Sequence, residues 1–371
     1  MAGGGADPTL GPPLQGVRVL DFTENLPGPF AGMILAQLGA TVVKIERPGG
    51  DPMRGRRPGG FAAINQGKRS LTIDLKDPAG QKRALRIAAQ ADVLMQSFRP
   101  GVMARLGLGY DRVREENPGI IYLSMSSYGS SGPLSTRAGH DQDVAALAGL
   151  VSLCGRPGSD PSYHVGIPTS DNATTLYAVI AILGALLQRR QPSRGGQHLD
   201  LAMADALLAA MTPRFGDLHD RPELDRRDFV RPGSGVYRCD DGTYLAVAAV
   251  EQHYWTRLMK ALVLTEIEDL WSAGWQERMG AFERIDRALD GRFRQESRSY
   301  WLKLLDDAGI PASPVQTLPE VVRHEHFLAR GSFADQPFIS PRFPVRLEGI
   351  SDIAETARPS GSSLTGKEEA W

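Results

Sequence analysis

The sequence predicts an α/β fold: a wound domain with a mostly parallel sheet up to residue 211, then a smaller α+β domain. Three observations predict it. Strand-like and helix-like segments alternate between residues 16 and 203. A polar, turn-rich stretch, TPRFGDLHDRPELDRRDFVRPGSG, begins at residue 212 and breaks that rhythm. Beyond it, two strand-like runs flank Asp241-Gly242, a hairpin signal.

The elements follow in order. GVRVLDFT (16–23) reads as a strand, PFAGMILAQLGA (29–40) as a helix and TVVKIERP (41–48) as a second strand, together a βαβ unit. RSLTIDL (69–75) reads as a strand, PAGQKRALRIAAQA (78–91) as a helix and DVLMQSF (92–98) as a strand. A helix over 101–116 leads to a strand in IIYLSMSSYG (120–129), and DVAALAGLVSL (143–153) is helical. The apolar segment after Asp171 ends at Arg189-Arg190 with Pro192 beyond, a helix stop. QHLDLAM (197–203) supplies a further strand. Strands joined through helices pair in parallel, which makes this a wound sheet. Residues 212–230 read as a linker and 231–312 as the smaller domain, helical over 252–308 with Trp255, Trp271, Trp275 and Trp301 in its core. From GIPASPVQ (309–316) the chain is expected to rejoin the first domain over 313–358, leaving a loose arm at 1–13 and a tail at 359–371.

Composition excludes several classes. The chain has 371 residues, 42% hydrophobic and 23% charged, an ordinary soluble balance. Its net charge of −1 provides no bulk field for nucleic acid or an anionic membrane, so an anionic ligand needs a local basic cluster. Two cysteines, Cys154 and Cys239, argue against a disulfide framework or a Cys-rich zinc site and fit a reducing cytosol. No signal-peptide pattern follows Met1. The apolar run Ala173–Gln188 is shorter than the roughly 18 residues of a membrane span and reads as a core helix. A cytoplasmic protein without membrane or nucleic-acid partners is the expectation.

Familiar motifs fail on inspection. GGFAAINQGKRS (59–70) has Ala62 where a phosphate loop needs Gly, and Arg69 follows the Lys. The first strand–helix turn, ENLPGPFAG, lacks G-x-G-x-x-G, so neither nicotinamide nor flavin is expected. HEH (324–326) spaces its histidines i, i+2, off a shared helix face, and no metal is expected. GSSG (129–132) is no nucleophile elbow. What remains is Asp171 in GIPTSD, at the mouth of the apolar segment, either a helix cap or a reactive carboxylate. His140-Asp141 in RAGHDQD is a second candidate, structural or catalytic on its residues alone.

Several segments, in order, carry a resemblance: LQGVRVLDFT, GPFAGMILAQLGATVVKIERPGGDPMRG, NQGKRSLTIDLKDPAG, SFRPGVMARLGLGYD, AGHD, VGIPTSD and GGQHLDLAMADALL. Across residues 14 to 350 the chain resembles the family III CoA-transferases, a group that includes formyl-CoA transferase, carnitine CoA-transferase and α-methylacyl-CoA racemase. The resemblance implies a Rossmann-like large domain built from both chain ends, a small domain between, and two chains interlocked as a homodimer. It implies acyl-CoA as substrate, a free carboxylic acid as acceptor, and Asp171 as nucleophile. In the racemase branch His140 and Asp171 exchange a proton with the substrate α-carbon, and Glu251 matches an acid near that histidine. Asp141 is carried over with His140 as catalytic. Coenzyme A contacts carry over to Arg47, Ile73, Lys76, Ser97, Phe98, Arg99, Arg105 and Arg137. The branch features mix: VGIP is transferase-like, His140 is racemase-like, NATT replaces the racemase glycine run, and RPGSG (231–235) is the nearest thing to the transferase glycine loop. CoA transfer is the reading, 2-methylacyl-CoA racemisation the alternative, and a non-catalytic CoA-binding partner subunit the third.

Overall fold

The structure is a computed structural model and describes residues 11–155, 157, 159–163, 166–191, 195–334, 339–346 and 371. The described residues of 11–155, 160–222 and 332–371 cluster as one compact unit, and those of 156–159 and 223–331 as another.

In the first unit β1 (Arg18–Phe22), β2 (Thr41–Glu46), β3 (Lys68–Thr72), β4 (Val93–Gln96), β5 (Ile121–Ser126) and β6 (Gln197–Ala202) form one sheet. Its order is β3-β2-β1-β4-β5-β6 and every neighbouring pair is parallel. Strand order reverses between β1 and β4, opening a crevice at their carboxyl ends. Successive residues on a strand face opposite sides, and both sides are covered. Val19, Val93 and Met95 join a core with Leu35, Ala178 and Ile182. Leu20, Leu94 and Tyr122 join the other, with Ile87, Met103 and Val113.

The long helix Thr169–Arg189 has 21 residues, more than the sequence suggests, and by length and apolarity alone would suffice to cross a membrane. Its Ala178, Val179, Ile182, Ala185 and Leu186 are buried in the sheet core. At its far end Arg189 donates to the Asp92 carboxylate at 2.6 Å and to the Gly119 carbonyl at 3.1 Å. Pro192 lies outside the described residues.

Two predicted helices are each broken by a glycine at positive φ. Gly107 (φ 71°) separates Val102–Arg105 from Tyr110–Glu116, and Gly149 (φ 85°) separates Asp141–Leu147 from Leu150–Leu153. The predicted linker at 212–230 contains the helix Thr212–Asp220, started by Pro213, and a short 3-10 turn over Arg226–Phe229.

The second unit holds an antiparallel sheet of β7 (Ser234–Arg238), β8 (Tyr244–Ala248) and β9 (Ala312–Pro314), in that order. At the hairpin tip Asp241 accepts from the Thr243 N–H at 3.0 Å, and Gly242 takes φ 78°. Because β9 pairs with β8, the chain stays in this unit through residue 331 and rejoins the first at 332, not 313. Trp255 and Trp301 are fully buried and donate to the Leu270 and Phe293 carbonyls. Trp271 and Trp275 are only half-buried: Trp271 packs against that core, and Trp275 is not part of it. Residues 1–10 of the expected arm and 347–370, which hold most of the expected tail, lie outside the described residues.

Candidate active site

A cavity of about 260 Å³ opens at the reversal of strand order. The chain leaving β1 contributes Glu24 and Asn25, that leaving β4 contributes Ser97 and Arg99, and β5 ends there at Ser126. Arg137, His140 and Asp171 complete the wall.

Asp171 is the third residue of the long helix, which starts at Thr169 after Pro168. It caps nothing: no side-chain cap bond is made, and among the described residues no donor reaches its carboxylate. The backbone is braced instead, with the Thr175 hydroxyl within reach of the Asp171 carbonyl (2.9 Å) and the Pro27 carbonyl (3.1 Å). Burial, and then the charge of Asp141, push the Asp171 carboxyl up to about 7.

A helix N-terminus beside a carboxylate ordinarily steadies its charge. Here its donors are already taken. Thr169 N–H donates to the Tyr163 hydroxyl at 3.0 Å, and Ser170 and Asp171 N–H donate to Asp141 Oδ1 at 2.8 and 3.2 Å. Asp141 does not line the cavity; it is the cap of this helix. Asp141, expected beside His140 at the reaction centre, stands behind the cavity wall as an acceptor for the helix backbone.

His140 is exposed on the same cavity as Asp171. Its N–H donates to Asp143 at 2.7 Å, which also accepts from the Tyr128 hydroxyl at 2.9 Å. Gly139 is required beside it: a Cβ there would lie 2.7 Å from Ser127 Cβ. Ser127 donates to the Gly139 carbonyl at 2.9 Å, which ties the His140 segment to the end of β5.

The basic residues divide. Arg99 and Arg137, both exposed, line the cavity with Ser97, whose hydroxyl accepts from Glu24 N–H at 3.0 Å. Arg47 and Lys76 line a separate depression of about 430 Å³ with Gly49, Gly50 and Asp74. Arg105 is exposed and lines neither. Ile73 is 4% exposed and belongs to the core, and Phe98 packs half-buried against that core, so their side chains serve packing. Glu251 lies in the second unit, just before the helix Gln252–Leu262, and is not among the cavity residues.

The residues that support the site differ in how plainly the sequence marks them. Asp143 was legible as a capping-box residue, three after His140. Tyr163 carries no local signal; only the fold brings it to Asp141, 22 residues away. Lys68, in the failed phosphate-loop match, is fully buried and donates to Asp21 (2.9 Å), the Pro29 carbonyl (2.7 Å) and Asn65 (2.9 Å). Desolvation brings it down to about 8. Lys44 beside it donates to the Thr23 carbonyl and pairs with Asp51 at 3.1 Å, an ion pair without a hydrogen bond to that Asp51 oxygen. These buried charges hold the chain at Thr23 and Pro29, on either side of Asn25, which sits at φ 67° on the cavity wall. Among the described residues no His, Cys, Asp and Glu group is arranged for a metal; His324 instead accepts from His326 N–H at 3.2 Å.

A doubly wound α/β enzyme with a half-buried carboxylate and a histidine at its switch-point cavity is the class that fold and site define. The chain belongs to CoA-transferase family III, which matches it over residues 14–362. It is 33% identical over 332 residues to succinyl-CoA:glutarate CoA-transferase of Mus musculus, spanning 86% of this chain and 76% of that one. It is 33% identical over 339 residues to alpha-methylacyl-CoA racemase of Homo sapiens, spanning 89% and 85%. A CaiB/BaiF family protein from Brucella suis has a crystal structure with a TM-score of 0.81 at 29% identity, over 91% of this chain and 93% of that one.

Proposed function

We propose that the chain is an acyl-CoA:carboxylate CoA-transferase in which Asp171 is the nucleophile. The observation that carries this is the Asp171 carboxylate itself, half-buried on a cavity and, among the described residues, with no hydrogen-bond donor to quiet it. An Asp171 oxygen attacks the thioester carbonyl, the C–S bond breaks, and CoA leaves as thiolate, giving an acyl-aspartyl anhydride. The thiolate attacks the aspartyl carbon and the donor acid departs as carboxylate, leaving an aspartyl-CoA thioester. An acceptor carboxylate attacks that carbon and expels the thiolate. The thiolate then takes the new acyl group and releases Asp171. No proton is consumed, and each intermediate keeps the activated bond. With its carboxyl near 7, Asp171 is partly ionised at neutral pH and, being half-buried, poorly solvated when ionised, which favours attack. Arg99 and Arg137 on the cavity, and Arg47 and Lys76 on the adjoining depression, offer cations for the CoA phosphates.

One observation favours a second reading, racemisation of a 2-methylacyl-CoA: His140 lines the same cavity as Asp171, and two groups able to trade a proton there fit an α-carbon between them. Incubation with a 2-methylacyl-CoA in deuterated water, without acceptor acid, separates the two. A transferase shows no rapid α-exchange, forms new thioesters with a panel of free acids, and is trapped by hydroxylamine as the Asp171 hydroxamate. Rapid exchange with silence across the acid panel would replace the transferase reading by the racemase. No turnover of any kind would leave the CoA-binding partner subunit.

The interlocked homodimer and a cytoplasmic location belong to the same proposal. The long helix supports a dimer by leaving Leu176, Ile180 and Leu187 between 57% and 67% exposed, an apolar stripe that a second chain would cover.

A further inference from the structure

The chemistry above gives Asp141 no step. Its contacts are nevertheless dense. Oδ1 accepts from the N–H of Ser170 and of Asp171 and from the Ser170 hydroxyl. Oδ2 accepts from the Tyr163 hydroxyl at 2.7 Å, whose oxygen accepts from Thr169 N–H. Ser170 is fully buried, so water does not compete for its bonds. The first three N–H donors of the long helix are thus consumed, and those are the donors that would otherwise steady an ionised Asp171. Asp143, two residues on, holds the His140 N–H and pairs with Tyr128. One helical turn therefore fixes both cavity residues, each through a carboxylate and a tyrosine.

We propose that Asp141 is a positioning residue: with Tyr163 it locks the first turn of the long helix, withholds that helix's donors from Asp171, and sets a negative charge behind the Asp171 carboxylate. The proposal rests on Asp171 being the reactive carboxylate. Of the other charged groups on the cavity, Arg99 and Arg137 favour the ionised form and Glu24 opposes it, while His140 favours it only when protonated. None of them is hydrogen-bonded to the Asp171 carboxylate, whereas Asp141 is joined to its backbone.

The test reads Asp171 directly. A water-soluble carbodiimide with an amine trap modifies protonated carboxyls, and peptide mass spectrometry of the full-length protein gives Asp171 labelling against pH. Half-labelling is expected near pH 7 in the wild type. Asp141→Asn keeps an acceptor oxygen for the helix but loses the charge, so its midpoint should fall by at least about one pH unit. Asp143→Asn removes an equal charge from the same turn without touching Asp171, and its midpoint should stay. Should Asp141→Asn fold poorly, Tyr163→Phe frees the Thr169 N–H and should lower the midpoint by itself. An unmoved midpoint in Asp141→Asn or, failing it, Tyr163→Phe, or an equal fall in Asp143→Asn, overturns the proposal. Asp171→Asn with full acyl-CoA turnover would instead defeat the nucleophile assignment while leaving these profiles intact.

Discussion

Replacing Asp171 by Asn should stabilise the protein above neutral pH and leave it nearly unchanged in acid. The folded carboxyl titrates near 7 against an ordinary 3.8. Between these values the folded state binds the proton and the unfolded chain does not, so wild-type stability falls as pH rises from about 4 to about 7. The gap sets a ceiling of about 4 kcal/mol for holding the charge at pH 8. Asp171 keeps part of its surface in solvent, which screens the penalty, and about 1–2 kcal/mol is the working figure. Asn is nearly isosteric and carries no charge, so it removes this cost at pH 8. At pH 5 it replaces a carboxyl that is already neutral. Thermal denaturation of both proteins at the two pH values is the assay, with a Tm gain of roughly 1–3 °C at pH 8 and almost none at pH 5. An equal shift at both values, or a loss at pH 8, would show that Asp171 holds no strained charge. A site that opposes its own ionisation in this way exchanges stability for reactivity.

Three further outcomes follow from the geometry. Lys68→Met should destabilise by about 3–5 kcal/mol in chemical denaturation, because Asp21 is left buried without its partner; a loss under 1 kcal/mol would count against the network. Gly139→Ala should cut turnover roughly tenfold with CoA affinity retained by calorimetry, since its Cβ would press on Ser127 and distort the cavity wall that faces Asp171. Ile180→Glu should weaken or abolish the dimer if a second chain covers the long helix, and light scattering that finds an unaltered dimer would place the interface elsewhere.

Much of the fold was legible because the strand runs of the first unit are nearly continuous apolar stretches between turn residues, the mark of a sheet covered on both faces. Val19 and Leu20, adjacent in sequence, feed opposite cores and are both fully buried. Strand order was not legible, since β6 joins β5 across more than seventy residues and nothing local records it. Helices were overextended where Gly107 and Gly149 lay inside a helical pattern, because a glycine's φ is decided by its surroundings. The return to the first unit was misplaced for a similar reason: three residues of β9 owe their state to β8. Asp171 was visible through its motif, but its lack of donors was not. That depends on Asp141 and Tyr163, which reach the helix from elsewhere in the chain.

The late arrival of β9 has a consequence for biosynthesis. The first unit's sheet is complete once Ala202 has left the ribosome, whereas β8 waits from Ala248 until Ala312 for its second neighbour. During that interval β8 presents one unpaired edge, and the helices that will pack on the small sheet are all made before it closes. Nascent chains, and any truncation ending before residue 312, carry that open edge into solution. The open edge of β8 is thus one place where a growing chain is exposed to mispairing with its neighbours, as the edge of β5 is until β6 is made.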